Sequence, residues 1–253
     1  EEHLPPDWEE ADSGTIVVLE RITNPDWKNY RMLIERIRRE LGRIYRYPIA
    51  DGLQIRLTPT GEDDESSLIG ARDPLLRMPG TYDAVHLGPP SAEVDPVHIK
   101  LDGIDFRGAP EVIDPATGLP AVITIEMVMA DLPKVRQELG LAESGPSGSR
   151  RLSRHWFSHA AQGFCVVRGD RELAFGLDLG LYVKDTRMNA FRGQIHFPTL
   201  PQEHSTVLDD LFGIRTEKGA VDIDPRLIDT FRGRIGRSIG KLRTTRREGE
   251  KRR

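Results

Sequence analysis

The stretch "GFCVVRGDRELAF", residues 163–175, decides the fold class. Two strand-sized runs of apolar residues flank Arg168, Gly169, Asp170 and Arg171. A Gly-Asp pair between such runs is hairpin turn chemistry, because glycine tolerates the positive φ that a tight turn demands. Working outward, "FRGQIHFP" (191–198) reads as a further strand closed by Pro198, and "AVITIEMVMA" (121–130) as another. "LQIRLTP" (53–59) alternates and predicts a strand, and "VHIKLDGIDFRG" (97–108) predicts a strand, a turn and a second short strand. "TIVVLE" (15–20) is a continuous β-branched run, the pattern of a strand buried on both faces.

Helical signals lie between these strands. In "PDWKNYRMLIERIRRELG" (25–42), Trp27, Tyr30, Leu33, Ile34, Ile37 and Leu41 fall at helical spacing, and Gly42 predicts the stop. "ADLPKVRQELGLAESGPSGSRR" (130–151) predicts a short helix followed by a flexible Gly/Ser linker. "EHSTVLDDLFGI" (203–214) predicts a short helix. "DPRLIDTFRGRIGRSIGKL" (224–242) opens with Asp224 as N-cap and Pro225 at the first helical position, and predicts a C-terminal helix. Residues 78–96 are rich in Pro and Gly without a period and read as a loop. There is no internal repeat and no regular βαβ alternation. The expectation is an α+β fold: a mixed, mainly antiparallel sheet with helices on one face.

The bulk properties set limits. A chain of 253 residues suffices for one large domain or two modest ones. Its charged fraction of 30% and negative mean hydropathy predict solubility, and no apolar run is long enough to span a bilayer. The acidic, polar start does not resemble a signal peptide. Cys165 is the only cysteine, so no intrachain disulfide can form, which fits the cytoplasm. The net charge of −4 is unevenly spread: residues 232–253 hold ten Lys or Arg against Glu248 and Glu250. That basic tail predicts a polyanion partner, with DNA the candidate, and its first part is amphipathic.

The chemistry-bearing residues are sparse. His155 and His159 have the spacing of zinc ligands on one helical turn, but no third ligand accompanies them, so a helix beside a linker is the expectation. Glu62 to Glu65, "EDDE", lacks a calcium-loop pattern and reads as a solvated acidic loop. Cys165 inside an apolar strand predicts a buried thiol. Arg168 and Arg171 read as hairpin surface or interface residues. No GxxxxGK[ST], GxGxxG or GxSxG is present.

Three ordered segments carry a family resemblance. "SGTIVVLERI" (13–22) resembles the last strand of a Bergerat-type ATPase domain of the GHKL superfamily, which includes gyrase, MutL and MORC proteins. "QGFCVVRGDREL" (162–173) resembles the strand-turn-strand of the second domain in MORC-like members. "FRGQIHFP" with "LDDLFGIRTEKGAV" (208–221) resembles that domain's next strand, helix and lysine loop. The resemblance implies a remnant of an ATPase domain over residues 1–24. Residues 25–253 would form a transducer domain of the ribosomal-protein-S5 domain-2-like fold. It implies that Thr15 contacts adenine, that Lys218 crosses to the γ-phosphate of ATP, and that Arg215 shapes the lysine loop. ATP and Mg2+ would be held mainly by an ATPase domain upstream, on the same or a separate chain, because the family's catalytic helix and Gly-rich lid precede the segment like "SGTIVVLE". A homodimer formed on ATP binding is the implied assembly. A non-enzymatic scaffold and a nucleic-acid-binding adaptor are the competing expectations.

Overall fold

The computed structural model describes residues 30–57, 67–100, 113, 118–141, 146–198 and 225–251. The chain divides into two compact units, Glu1–Ile37 and Arg38–Arg253, and the boundary falls within the first helix, α1 (Tyr30–Ile44). In the smaller unit the described residues are helical, with Leu33 buried and Met32 exposed.

The larger unit is built on a five-stranded mixed sheet. Its strands are β3 (Ala92–Lys100), β4 (Val122–Met129), β5 (Gly163–Arg168), β6 (Arg171–Leu177) and β7 (Phe191–Phe197). Their order across the sheet is β3-β4-β7-β5-β6. Three ladders are antiparallel, and β5 with β7 is parallel. The expected hairpin is present: Arg168 pairs with Arg171 across the Gly169-Asp170 turn, and Gly169 takes φ of 57°. A two-stranded ribbon, β1 (Arg56–Leu57) with β2 (Ser67–Leu68), stands apart. Of the strand expected over 53–59, Arg56–Leu57 is strand, the Ile55 carbonyl accepts from the Ile69 N–H at 2.8 Å, and residues 58 and 59 lie outside the described residues.

Strand periodicity sorts the sheet into two unlike faces. On one face lie Ile123, Ile125, Met127 and Met129 of β4, Phe164 and Val166 of β5, and Phe191, Ile195 and Phe197 of β7. The C-terminal helix, α6 (Pro225–Lys251), packs there with Leu227, Phe231, Ile235, Ile239 and Leu242, spaced to form one stripe. Val135 of α4 (Leu132–Glu138) and Leu152 of α5 (Pro146–Arg154) join the same core. The second face carries Val128, Cys165, Val167, Glu172 and Gln194, covered by Leu75 and by Tyr47 of α2 (Arg46–Ala50). Helices therefore pack on both faces, not on one as expected. The reason is chemical: the second face presents charge and amide groups, and arginines from the α1–α2 region satisfy them.

Other expectations change as well. Gly42 does not stop α1, which runs on to Ile44. Instead it is a point of close approach: a Cβ there would lie 2.4 Å from the Gly70 carbonyl oxygen, and the Arg72 N–H donates to the Gly42 carbonyl at 2.9 Å. The segment expected as loop over 78–96 contains α3 (Tyr82–His86), capped by Thr81 accepting from the Ala84 N–H, and most of β3. β3 escapes pattern reading because it is an edge strand broken by a bulge between Val94 and Val97, where Asp95 and Pro96 sit. The expected Gly/Ser linker contains α5. The helix expected over 203–214, the strand expected over 15–20 and the acidic loop at Glu62–Glu65 lie outside the described residues.

Candidate functional site

The residues that the sequence singles out for nucleotide chemistry, Thr15, Arg215 and Lys218, all lie outside the described residues. The structure does describe the elements on either side of 199–224. β7 is the central strand of the sheet, hydrogen-bonded on both edges, to β4 and to β5. It ends at Phe197, whose carbonyl accepts from the Gly169 N–H at 3.3 Å beside the hairpin turn. The chain is next described at Pro225, opening α6. Arg232 of α6 donates to the Gly180 carbonyl at 3.4 Å. Gly180 follows the end of β6, which pairs with the start of β5 and so lies level with the start of β7.

A dense polar cluster that sequence reading missed sits on the second face. Arg46, fully buried, donates to Glu172 Oε2 at 2.7 Å, to Gln194 Oε1 at 2.6 Å and to the Arg43 carbonyl at 2.8 Å. Arg43 pairs with the other Glu172 oxygen and with Glu40 Oε2 at 2.7 Å. The Tyr47 hydroxyl lies 2.7 Å from Gln194 Nε2, and the Arg46 guanidinium stacks 4.8 Å from the Tyr47 ring centroid. Arg43 lies over Phe175 at 4.1 Å. One buried carboxylate is thus shared by two guanidiniums. A buried ion pair of this kind adds little net stability, but losing the carboxylate would strand two charges in a low-dielectric interior. Both Glu172 oxygens are taken by guanidinium groups, while the Nε atoms of Arg43 and Arg46 are buried without a hydrogen-bond partner among the described residues. The cluster works as a lock joining residues 40–47 to β6 and β7.

A second cluster adjoins it through Trp156. Arg72 forms a bidentate pair with Asp83 at 2.7 and 2.8 Å, held between the rings of Tyr82 at 4.8 Å and Trp156 at 5.2 Å. Asp73 accepts from the N–H groups of Leu75, Arg77 and Met78, which ties the loop leading to α3. His155 stacks on Tyr82 with centroids 6.0 Å apart. Burial first, and then the neighbouring Arg72 charge, pull the His155 pKa down to about 4. Trp156 itself takes φ of 62°, rare for a bulky residue, and its carbonyl accepts a bond from the buried Arg192.

The remaining expectations are placed plainly. α5 ends at Arg154, so His155 and His159 follow it in turn structure and do not share a helical turn. Among the described residues no group of three or more His, Cys, Asp or Glu is placed to hold a metal ion. Cys165 is buried in β5 as expected, and burial pushes its thiol up, away from the reactive thiolate. Arg171 is exposed beside the hairpin turn, its guanidinium 5.7 Å from the Tyr45 ring centroid, and Arg168 is half-buried. Among the described residues no helix is long and apolar enough to cross a membrane. α6 carries the basic segment: Arg232, Arg234, Arg237, Lys241 and Arg243 are all exposed, opposite its buried stripe. Compared with known proteins, the chain matches no protein-family model, no curated protein and no solved structure.

Proposed function

We propose that this chain is the transducer portion of a GHKL-type ATPase, coupling ATP binding and hydrolysis to conformational change or dimerisation in the cytoplasm. ATP and Mg2+ are held mainly by the ATPase domain, and Lys218 senses the γ-phosphate. The observation that supports this reading most is the setting of the lysine segment. It follows directly on β7, the strand paired on both edges at the centre of the sheet, and precedes a helix anchored in the core. A phosphate-sensing lysine needs such flanks, since a charge contact is useful to catalysis only when its position is preorganised. A lysine suits the role because its compact ammonium acts as a point charge toward a terminal phosphate.

The test is turnover by the full-length protein with Lys218→Ala, alongside nucleotide binding. Loss of one preorganised charge contact costs on the order of 3 kcal/mol, so turnover falls about a hundredfold while ATP still binds. Equal turnover in variant and wild type removes the sensor role. The exposed basic face of α6 favours a second reading, a nucleic-acid-binding adaptor without ATPase coupling. ATP hydrolysis that depends on Lys218 separates the first reading from the second.

A further inference from the structure

We infer that the exposed face of α6, and not only the tail beyond it, is a docking surface for the phosphate backbone of double-stranded nucleic acid. This deepens the partner reading of the basic segment and does not depend on the role of Lys218. The inference stands on charge. Arg232, Arg234, Arg237, Lys241 and Arg243 are all exposed, and Asp229 is the one acidic residue among the exposed positions described in the helix. Asp229 is paired with Arg232 at 2.5 Å. At 100° per residue the cations form two rails. Arg234, Arg237 and Lys241 lie along one side, and Arg232 and Arg243 along the other.

The shape between the rails fits a backbone. Gly233, Gly236 and Gly240 fall there, and a Cβ on any of them would meet nothing within 4 Å. Packing among the described residues therefore does not require these glycines, although each weakens the helix. Asp229 and Thr244 fall on the same strip at its two ends, and between them the three glycines leave a floor that lets a phosphodiester chain approach the helix closely while both rails reach it. The rival polyanions fit less well. A membrane-surface helix inserts an apolar face, but Leu227, Phe231, Ile235, Ile239 and Leu242 are already buried in the core, each 4% exposed or less. A single strand is gripped by aromatic stacking, and the exposed face has no aromatic residue. The inferred contact is to the phosphate backbone, which carries no sequence information directly.

The experiment measures binding of the 253-residue chain to 20-base-pair DNA and RNA duplexes by fluorescence anisotropy across salt concentrations. The triple variant Arg234→Gln, Arg237→Gln, Arg243→Gln leaves the tail charges in place. Each phosphate contact contributes about 0.9 to the slope of log K against log salt on B-DNA, so the slope falls by about 2.7 in magnitude. Affinity near physiological salt falls on the order of a hundredfold. The variant Gly236→Ala, Gly240→Ala keeps every charge. It raises the melting temperature by about 5 °C yet weakens duplex binding, because it fills the floor. Preference for DNA or for RNA identifies which duplex docks, and either result supports the inference. Unchanged slope in the triple variant assigns the contact to the tail alone and overturns it. So does binding of anionic phosphatidylserine vesicles or polyglutamate as tight as binding of duplex.

Discussion

At the scale of the residue, this protein buries two ion-pair clusters. Glu172 is shared by Arg43 and Arg46, and Asp83 is clasped by Arg72 between two rings. None of this was legible in the sequence, where Glu172 is one of 40 acidic residues and each arginine one of many. Only the tertiary fold brings Arg46 to a carboxylate 126 positions away. Cys165 was legible, because an apolar strand around a thiol predicts burial. His155 was misplaced, because histidine spacing was read as helical where the helix had ended. Its environment gives a testable pH dependence. The folded pKa, about 4, lies below the ordinary histidine value near 6.5. Between those values the unfolded state binds the extra proton, so stability is fully present above about pH 6.5 and declines as pH falls toward about 4. The ring is only partly buried, and solvent screening reduces the loss to on the order of 1–2 kcal/mol. Urea titrations at pH 7.5 and 4.5 should show wild type losing that much more than His155→Gln. Equal losses in the two proteins would place the titration elsewhere.

At the scale of the element, strands β4, β5, β6 and β7 were readable because their alternation or apolar continuity is local. β3 was not, since an edge strand with a bulge and Pro96 breaks the very pattern that identifies strands. α5 was hidden by its Gly and Ser content, which composition alone assigns to a linker. The parallel β5–β7 pairing was also out of reach, because turn chemistry fixes only neighbouring antiparallel strands. That pairing depends on Gly193. The Phe164 ring lies across it in the adjacent strand, and a Cβ at Gly193 would fall 2.3 Å from Phe164 Cδ1. Phe164 is held in turn by an edge contact with Phe191, with centroids 5.5 Å apart. Both rings are fully buried, so neither has room to yield cheaply. Gly193→Ala should therefore destabilise by about 1–3 kcal/mol, as overpacking does, despite alanine's better intrinsic strand entropy. Restoring space with Gly193→Ala, Phe164→Leu should recover part of the loss in denaturant unfolding. A stable single variant would show that the ring moves freely.

At the scale of the whole molecule, the α+β class was legible from mixed signals without βαβ alternation, while the two-sided covering of the sheet was not. That feature follows from the unlike faces: an apolar one that takes α6, and a mixed one where Glu172 and Gln194, beside Val128, Cys165 and Val167, need Arg43 and Arg46. The proposed nucleotide role remains attached to a segment that joins the centre of the sheet to α6, so the rigidity of that centre matters to function. The topology predicts how rigidity is distributed. β4, β5 and β7 are bonded on both edges, and nearly all residues of β7 are buried. Among the described residues β3 and β6 each leave one edge unpaired, and the β3–β4 ladder is interrupted by the bulge. Amides open to exchange by local fluctuation where few buried contacts hold them, and only by global unfolding where many do. Native-state hydrogen exchange followed by mass spectrometry should find β7, β5 and β4 slowest, with β3 first among the strands to exchange. Adding denaturant should leave the exchange of β7 tracking global stability, while β3 stays nearly independent of it. If β6 proves slower than β7, the α2 side dominates the core. The lysine segment would then spring from a strand that yields early, and a sensing role there would lose its mechanical basis.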